Sequence, residues 1–262
     1  MTVTSDVVLV DQTNWGAVRV SGGDRVRFLQ GMCMGNIDAV PEGGWLRTAT
    51  LNIKGRVLSI YDLVRRSEDM VLLCQPGLAD ATLNLLSRHA IADDVEFERI
   101  QVAVHRVWST PAAVWEAPPV FAPPPGTPAS AEAIDVRRIE AGLPLWGVDV
   151  SEDHFPFETP LAQLIDYGKG CFIGQEPLAR VRARGTPNQL LRGLRLAGSA
   201  VPARGTRIRH AQRDDAGQVT SAAVSPAFGA IALGYLHRAV WQPGGQVMVD
   251  GHAAEVVELP FG

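Results

Sequence analysis

The chain has 262 residues, 46% apolar and 20% charged, which suffices for a packed core and argues against disorder. Its net charge of −4 offers little long-range attraction, so neither bulk nucleic-acid binding nor membrane association is expected. Cys33, Cys74 and Cys171 stand far apart without a CxxC pair, which indicates no disulfide framework and no cysteine-built metal site and fits a reduced, cytoplasmic setting.

Met1 to Asp11 carries no basic flank and no long apolar run, so no signal peptide is expected, and no stretch approaches the roughly 20 apolar residues of a spanning helix. Gly16 to Val20 alternates like a strand. Asp24 then offers an N-cap oxygen to a helix reaching Met32, with Val26, Phe28, Leu29 and Met32 at helical spacing. Trp45 to Cys74 reads as an antiparallel meander punctuated by Lys54-Gly55 and Ser67-Glu68-Asp69. Pro76 opens a helix to about Ala90, and Val95 to Trp108 is strand-like. Ala117 to Ser130 holds six prolines, which cannot donate to a ladder, and reads as a linker or surface loop. Ala133 to Glu140 is ambiguous. From Asn188 onward five short strands are expected, at 190–196, 218–224, 230–236, 246–249 and 253–259. Asp250-Gly251 is a two-residue hairpin signal between the last two, and the set suggests a small barrel.

The segment Lys169-Gly170-Cys171-Phe172-Ile173-Gly174-Gln175-Glu176 concentrates chemistry. Its glycines allow close backbone approach, and Pro177 suits the first position of a helix running to Arg184. That would set Cys171 and the Gln175-Glu176 pair just ahead of a helix N-terminus, where free amides and Lys169 favour a thiolate. Glu176 can accept from an amino-pyrimidine edge, and Gln175 can donate and accept. The plain alternative is a cysteine packed in a loop-to-helix corner. Arg180, Arg182, Arg184, Arg192 and Arg195 form a basic stretch suited to a carboxylate tail or a phosphate, or simply a solvated face. The six histidines show no ligand spacing, no GxSxG elbow occurs, and Gly22-Gly23 lacks the later glycines of a nucleotide loop.

The eight-residue segment resembles the KGCxxGQE signature of the YgfZ-type folate-binding proteins, relatives of the glycine-cleavage T protein, an aminomethyltransferase. Further similarity runs through Gly16–Asp24, Leu51-Asn52 with Lys54–Val57, Arg138–Pro144 with Trp146-Gly147, Thr220-Ser221, Ile231–Gly234 and Pro260-Phe261. The resemblance implies an α+β fold arranged as a three-part ring around a folate pocket, with a small C-terminal β-barrel. It divides the chain into 1–45 with 133–186, 46–116, the Pro-rich 117–132, and a barrel over 187–262. It implies tetrahydrofolate as cofactor and a role in assembly or repair of iron–sulfur enzymes, tRNA-modifying ones included, with those enzymes or their assembly factors as partners. Cys171 falls on the family's cysteine and is the expected reactive group. Lys169, Gln175, Glu176, Arg180, Arg182 and Glu140 are the expected folate-binding set.

Two departures separate the chain from T proteins. These carry an acidic pair after a Leu-Asn-x-x-Gly-x-Val stretch, and the first Asp supports methylene transfer; here the positions are Ser59 and Ile60. A hydroxyl supplies neither the base nor the negative charge that step needs. Asp62, three residues on, is expected to face the opposite side of an extended strand. The T protein's Tyr-Thr-Gly-Glu segment has no counterpart, and the Pro-rich stretch lies in its place. An aminomethyltransferase and a non-catalytic scaffold that kept the fold therefore remain as alternatives.

Overall fold

The computed structural model describes residues 7–262. Part of the N-terminal stretch read for a signal peptide lies outside them. Among the described residues there are thirteen strands and four α-helices, and no helix is long and apolar enough to cross a membrane.

The expected meander forms. Strands β3 (Trp45–Leu51), β4 (Val57–Arg65) and β5 (Met70–Cys74) pair antiparallel in sequence. Two further strands, β2 (Ala17–Ser21) and β6 (Glu96–Ile100), complete a five-stranded sheet ordered β3-β4-β5-β2-β6. This sheet thus draws β2 from the first expected unit and its other strands from the second. Helices α1 (Arg25–Met32) and α2 (Ala79–His89) cover one face, packing Leu29, Met32 and Leu86 against Val18, Tyr61, Leu63 and Leu72. Asp24 stands at the N-cap position of α1 but makes no capping bond. Its carboxylate accepts from the Asp94 amide and from Arg27 instead, tying the helix start to the turn before β6.

The strand-like Val95 to Trp108 is two strands, since β7 (His105–Trp108) leaves the sheet to pair with β1 (Val8–Asp11). The Pro-rich stretch is laid against this pair: Val120 bridges His105, and the Ala129 amide donates to Leu9. Arg106, fully buried, bonds Asp62 and the Ala117 carbonyl, while Arg47 bonds Asp62 from the paired position on β3. One carboxylate thus pins the sheet to the β1/β7 unit. The ambiguous segment is helix α3 (Ala131–Glu140), capped by the Ser130 hydroxyl on the Ala133 amide.

Six strands close the barrel in the order β10-β11-β8-β13-β12-β9. They are β8 (Gln189–Leu196), β9 (Arg207–His210), β10 (Arg213–Ser225), β11 (Gly229–His237), β12 (Gln246–Val249) and β13 (His252–Val257). Asp250 and Gly251 both take positive φ, 49° and 80°, as a two-residue hairpin of this kind requires. Strand β9 was not expected, because Arg-Ile-Arg-His offers a single apolar residue inward. Alternation along β11 sends Ala232 and Leu236 into the barrel and Ile231, Leu233 and Tyr235 outward against Ile139 of α3. Across that seam the Arg138 guanidinium, the buried Asp149 carboxylate and the hydroxyls of Thr220 and Ser221 form one network, so barrel and α3 are locked together.

Candidate functional site

The KGCxxGQE segment is the turn that leads into α4 (Gln175–Arg184). Gly174, at φ 84°, is the residue before the helix. A Cβ there would come 2.6 Å from the Asn52 carbonyl oxygen and 2.9 Å from Leu51, so the β3–β4 hairpin seats directly on this glycine. The helix starts two residues earlier than the proline suggested. Gln175 and Glu176 lie in its first turn rather than ahead of it, and Pro177 occupies the third helical position. The Gln175 side-chain oxygen accepts from the Phe172 amide and closes the turn.

Lys169 is buried, and its ammonium donates to three carbonyl oxygens around the C-terminal end of α1: Gln30 and Cys33 at 2.6 Å and Gly35 at 2.7 Å. All three of its donors are spent inside the protein. Glu176 is exposed and pairs with Arg180 four residues on, an ordinary solvated helix pair. Arg182 stacks its guanidinium 4.3 Å from the ring of Tyr167. Glu140, at the end of α3, is buried; it accepts from Ser225 Oγ at 2.6 Å and pairs with Arg137. Cys171 is exposed, whereas Cys33 and Cys74 are buried. The expected site residues are therefore not gathered around one pocket. Lys169 and Gln175 brace the fold, Glu140 holds α3 to the barrel, and Cys171, Glu176 and Arg180 face solvent. The basic stretch is likewise dispersed: Arg192 donates Nε to the Trp241 carbonyl, and Arg195 reaches the Gly262 carbonyl.

Ser59 is buried with its hydroxyl 2.6 Å from Thr82 Oγ1, under α2. Asp62 points to the other side of the sheet, to Arg47 and Arg106, as the strand period demands.

A cavity of about 320 Å³ lies where segments distant in the chain meet. Trp115 comes from the segment ahead of the prolines, and Ala141 from the end of α3. Phe157 and Glu158 come from the 3₁₀ turn Pro156–Glu158, and Leu190 and Arg192 from β8. The Trp115 indole N–H donates to the Ala141 carbonyl at 2.8 Å, which fixes its ring. Glu158 is buried, and one carboxylate oxygen accepts from the Phe155 amide at 2.9 Å. Burial pushes its pKa above the usual glutamate value, while that amide and the nearby Arg56 pull it back. Aromatic side chains, one carboxyl and one arginine thus line the same cavity. None of these except Arg192 was singled out by the sequence, although Phe155-Pro156-Phe157-Glu158 puts aromatic and acidic residues into a turn just upstream of the signature. Lys169, Cys171, Gln175 and Glu176 do not line this cavity.

Residues 190–261 match the family model described as the glycine cleavage T-protein C-terminal barrel domain. An aminomethyltransferase of Saccharopolyspora erythraea is 39% identical over 140 residues, 51% of this chain and 38% of the relative. One from Streptomyces coelicolor is 33% identical over 197 residues, 71% of this chain and 51% of the relative. The tRNA-modifying protein YgfZ of Yersinia enterocolitica is 26% identical over 244 residues, 76% of this chain and 74% of that protein. The chain is a relative of the YgfZ and glycine-cleavage T proteins. It spans about four-tenths to half the length of these two aminomethyltransferases. The crystal structure of the aminomethyltransferase T from Bartonella henselae superposes with a TM-score of 0.82, covering 98% of this chain and 86% of that one at 21% identity. The fold is that of the T protein, with its C-terminal barrel.

Proposed function

We propose that the protein binds a folate, as tetrahydrofolate, in the Trp115–Glu158–Arg192 cavity and acts as an accessory factor for iron–sulfur enzymes rather than as an aminomethyltransferase. The cavity carries the reading. A pterin is a flat, hydrogen-bonding heterocycle, and such ligands are held by aromatic walls and a few placed polar groups. Trp115 and Phe157 supply the walls, and Glu158 can accept from an amino-pyrimidine edge. Arg192, with only Nε engaged among the described residues, can meet the carboxylate tail. The accessory role is supported by the YgfZ-type signature with its exposed Cys171, and by Ser59 lying under α2 where a transferase would need an acid.

Calorimetry with tetrahydrofolate tests the binding. Wild type binds, while Trp115→Ala and Glu158→Gln weaken binding by about tenfold or more, the scale of one lost buried hydrogen bond or wall contact. Cys171→Ala leaves binding unchanged but loses support of a client iron–sulfur enzyme. No detectable heat at millimolar tetrahydrofolate removes folate from the reading.

The rival reading, an aminomethyltransferase, is favoured by the aminomethyltransferase relatives at 39% and 33% identity. Incubation with aminomethylated carrier protein and tetrahydrofolate decides it: formation of methylene-tetrahydrofolate would replace the accessory role with catalysis.

A further inference from the structure

Two cavities, of about 510 and 420 Å³, share His154, Gly205, Gln218 and Tyr235 in their walls. The shared residues set them side by side, as a cleft between the barrel and the Gly147–His154 segment. At its wider end four neighbouring elements each present a donor. Asn188 comes just before β8, Arg207 from β9, Arg213 from β10 and His237 from the end of β11.

The hydrogen bonding around this wall leaves donors facing the space. Among the described residues Arg213 spends only Nε, on the Asp215 carbonyl at 2.7 Å, which leaves both terminal nitrogens of its fork. His237 Nδ1 accepts from the Ala239 amide at 3.2 Å, so the ring proton resides on Nε2. His154 is fixed in the same tautomer by the Ser151 amide on its Nδ1, and it stacks on Tyr235 with centroids 4.4 Å apart. Burial keeps His237 below the usual imidazole value, and Arg213 and Arg238 press it further in the same direction against a partial offset from Asp215. Among the described residues no carboxylate is hydrogen-bonded to Arg213 or His237, although Asp215 lies close enough to act on His237. Asp214 is engaged at the rim, 3.3 Å from Arg209 and 3.7 Å from Arg207. Asp215 lines this end and can accept from a ligand hydroxyl, while Asp149 lines the narrower end, already accepting from Thr220 and Ser221.

We propose that this cleft binds a small phosphorylated metabolite, its phosphate held by Arg207, Arg213 and His237 and its hydroxyl-bearing part lying along Gln218 toward Thr220. Separate donors on adjacent strands suit a group with three terminal oxygens, whereas a planar carboxylate needs one arginine fork. A nucleic-acid backbone fits less well, because Asp214 interrupts the arginines at the rim and the chain carries a net charge of −4. The cleft is separate from the folate cavity, and the proposal stands without that reading.

Titration of the full chain with inorganic phosphate, ribose 5-phosphate, ribose, triglutamate and a single-stranded RNA oligomer, followed by histidine ring NMR signals, is the test. Saturable shifts of His237 and His154 are expected with phosphate, tighter with ribose 5-phosphate and absent with ribose. Arg213→Gln, on an exposed side chain, weakens ribose 5-phosphate by about tenfold or more and leaves the urea midpoint and tetrahydrofolate binding unchanged. Absence of saturable shifts overturns the proposal. So do unaltered binding by Arg213→Gln, tighter binding of triglutamate than of ribose 5-phosphate, and an RNA complex that ribose 5-phosphate fails to displace.

Discussion

The ammonium of Lys169 lies 2.6 Å from the carbonyl oxygen of Cys33, at the point where α1 ends. With the Gln30 and Gly35 carbonyls it makes a three-way brace between the signature turn and the helix. Carbonyls at a helix C-terminus carry partial negative charge and need donors, and a buried cation answers both demands. Lys169→Met keeps the stem but removes the charge and strands three buried acceptors. A loss of about 2–4 kcal/mol is expected from charged hydrogen bonds of this kind, read as a lower urea midpoint with unchanged slope. Unchanged stability would mean that the brace adds no net stability to the fold.

The three thiols should separate cleanly by reactivity. Cys171 is exposed. Burial pushes the Cys33 thiol up to about 11, even with Tyr61 OH 3.0 Å from its sulfur, and pushes Cys74 up to about 12. The thiolate is the reacting species, so the buried pair is protected twice, by access and by protonation. At neutral pH an aromatic disulfide reagent should titrate one thiol in the folded protein and three in urea. Cys171→Ala should reduce the folded count to zero.

Much of the fold was legible because its signals are local. The Lys54-Gly55 and Asp250-Gly251 turns, the alternation in β4 and the unbroken apolar run of β5 each need only neighbouring residues to be understood. What escaped depends on partners distant in sequence. Strand β9 is held by its ladders to β10 and β12, not by its own apolar content. Asp24 looks like a helix cap until the turn at Asp94, 70 residues away, claims its oxygens. The same limit governed the site. A lysine, a glutamine and a glutamate beside a cysteine suggest ligand chemistry, but Lys169 answers to carbonyls 134 to 139 residues away. Glu158 and Trp115 meet only through tertiary packing, so no spacing in the chain announced them.

Acid should weaken the protein partly through His154. Burial holds its folded pKa below the usual imidazole value, partly offset by Asp153. The unfolded chain therefore takes up this proton first as pH falls below about 6.5. Its contribution to stability is complete above that value and is lost as pH drops through the lower folded pKa. Glu158 has the opposite sign, since its folded pKa is raised: its contribution is complete below the unfolded value and is lost as pH rises through the folded one. Glu158 is present in both proteins when wild type is compared with His154→Asn, in which the amide oxygen can still accept from Ser151. The urea midpoint of the variant should fall less between about pH 7 and pH 5 than that of wild type. Equal slopes would show that His154 protonates freely in the folded state.

Ser59 allows the sharpest separation of this chain from the transferases. Its hydroxyl meets Thr82 Oγ1 at 2.6 Å, and Thr82 in turn donates to the Leu78 carbonyl, all inside the α2 contact. A carboxylate introduced here meets the Thr82 hydroxyl, while Arg47 and Arg106 are held on the opposite face by Asp62. Burying an unpaired charge costs several kcal/mol or forces the group to stay protonated. Ser59→Asp should therefore lower stability by about 2–4 kcal/mol near neutral pH and recover part of that loss as the pH is lowered and the new carboxyl protonates. It should confer no methylene transfer to tetrahydrofolate. Ser59→Ala, which removes one hydrogen bond and adds no charge, should cost about 1 kcal/mol. If Ser59→Asp instead folds with wild-type stability and forms methylene-tetrahydrofolate, the strand opens onto a working transferase pocket and the accessory reading falls.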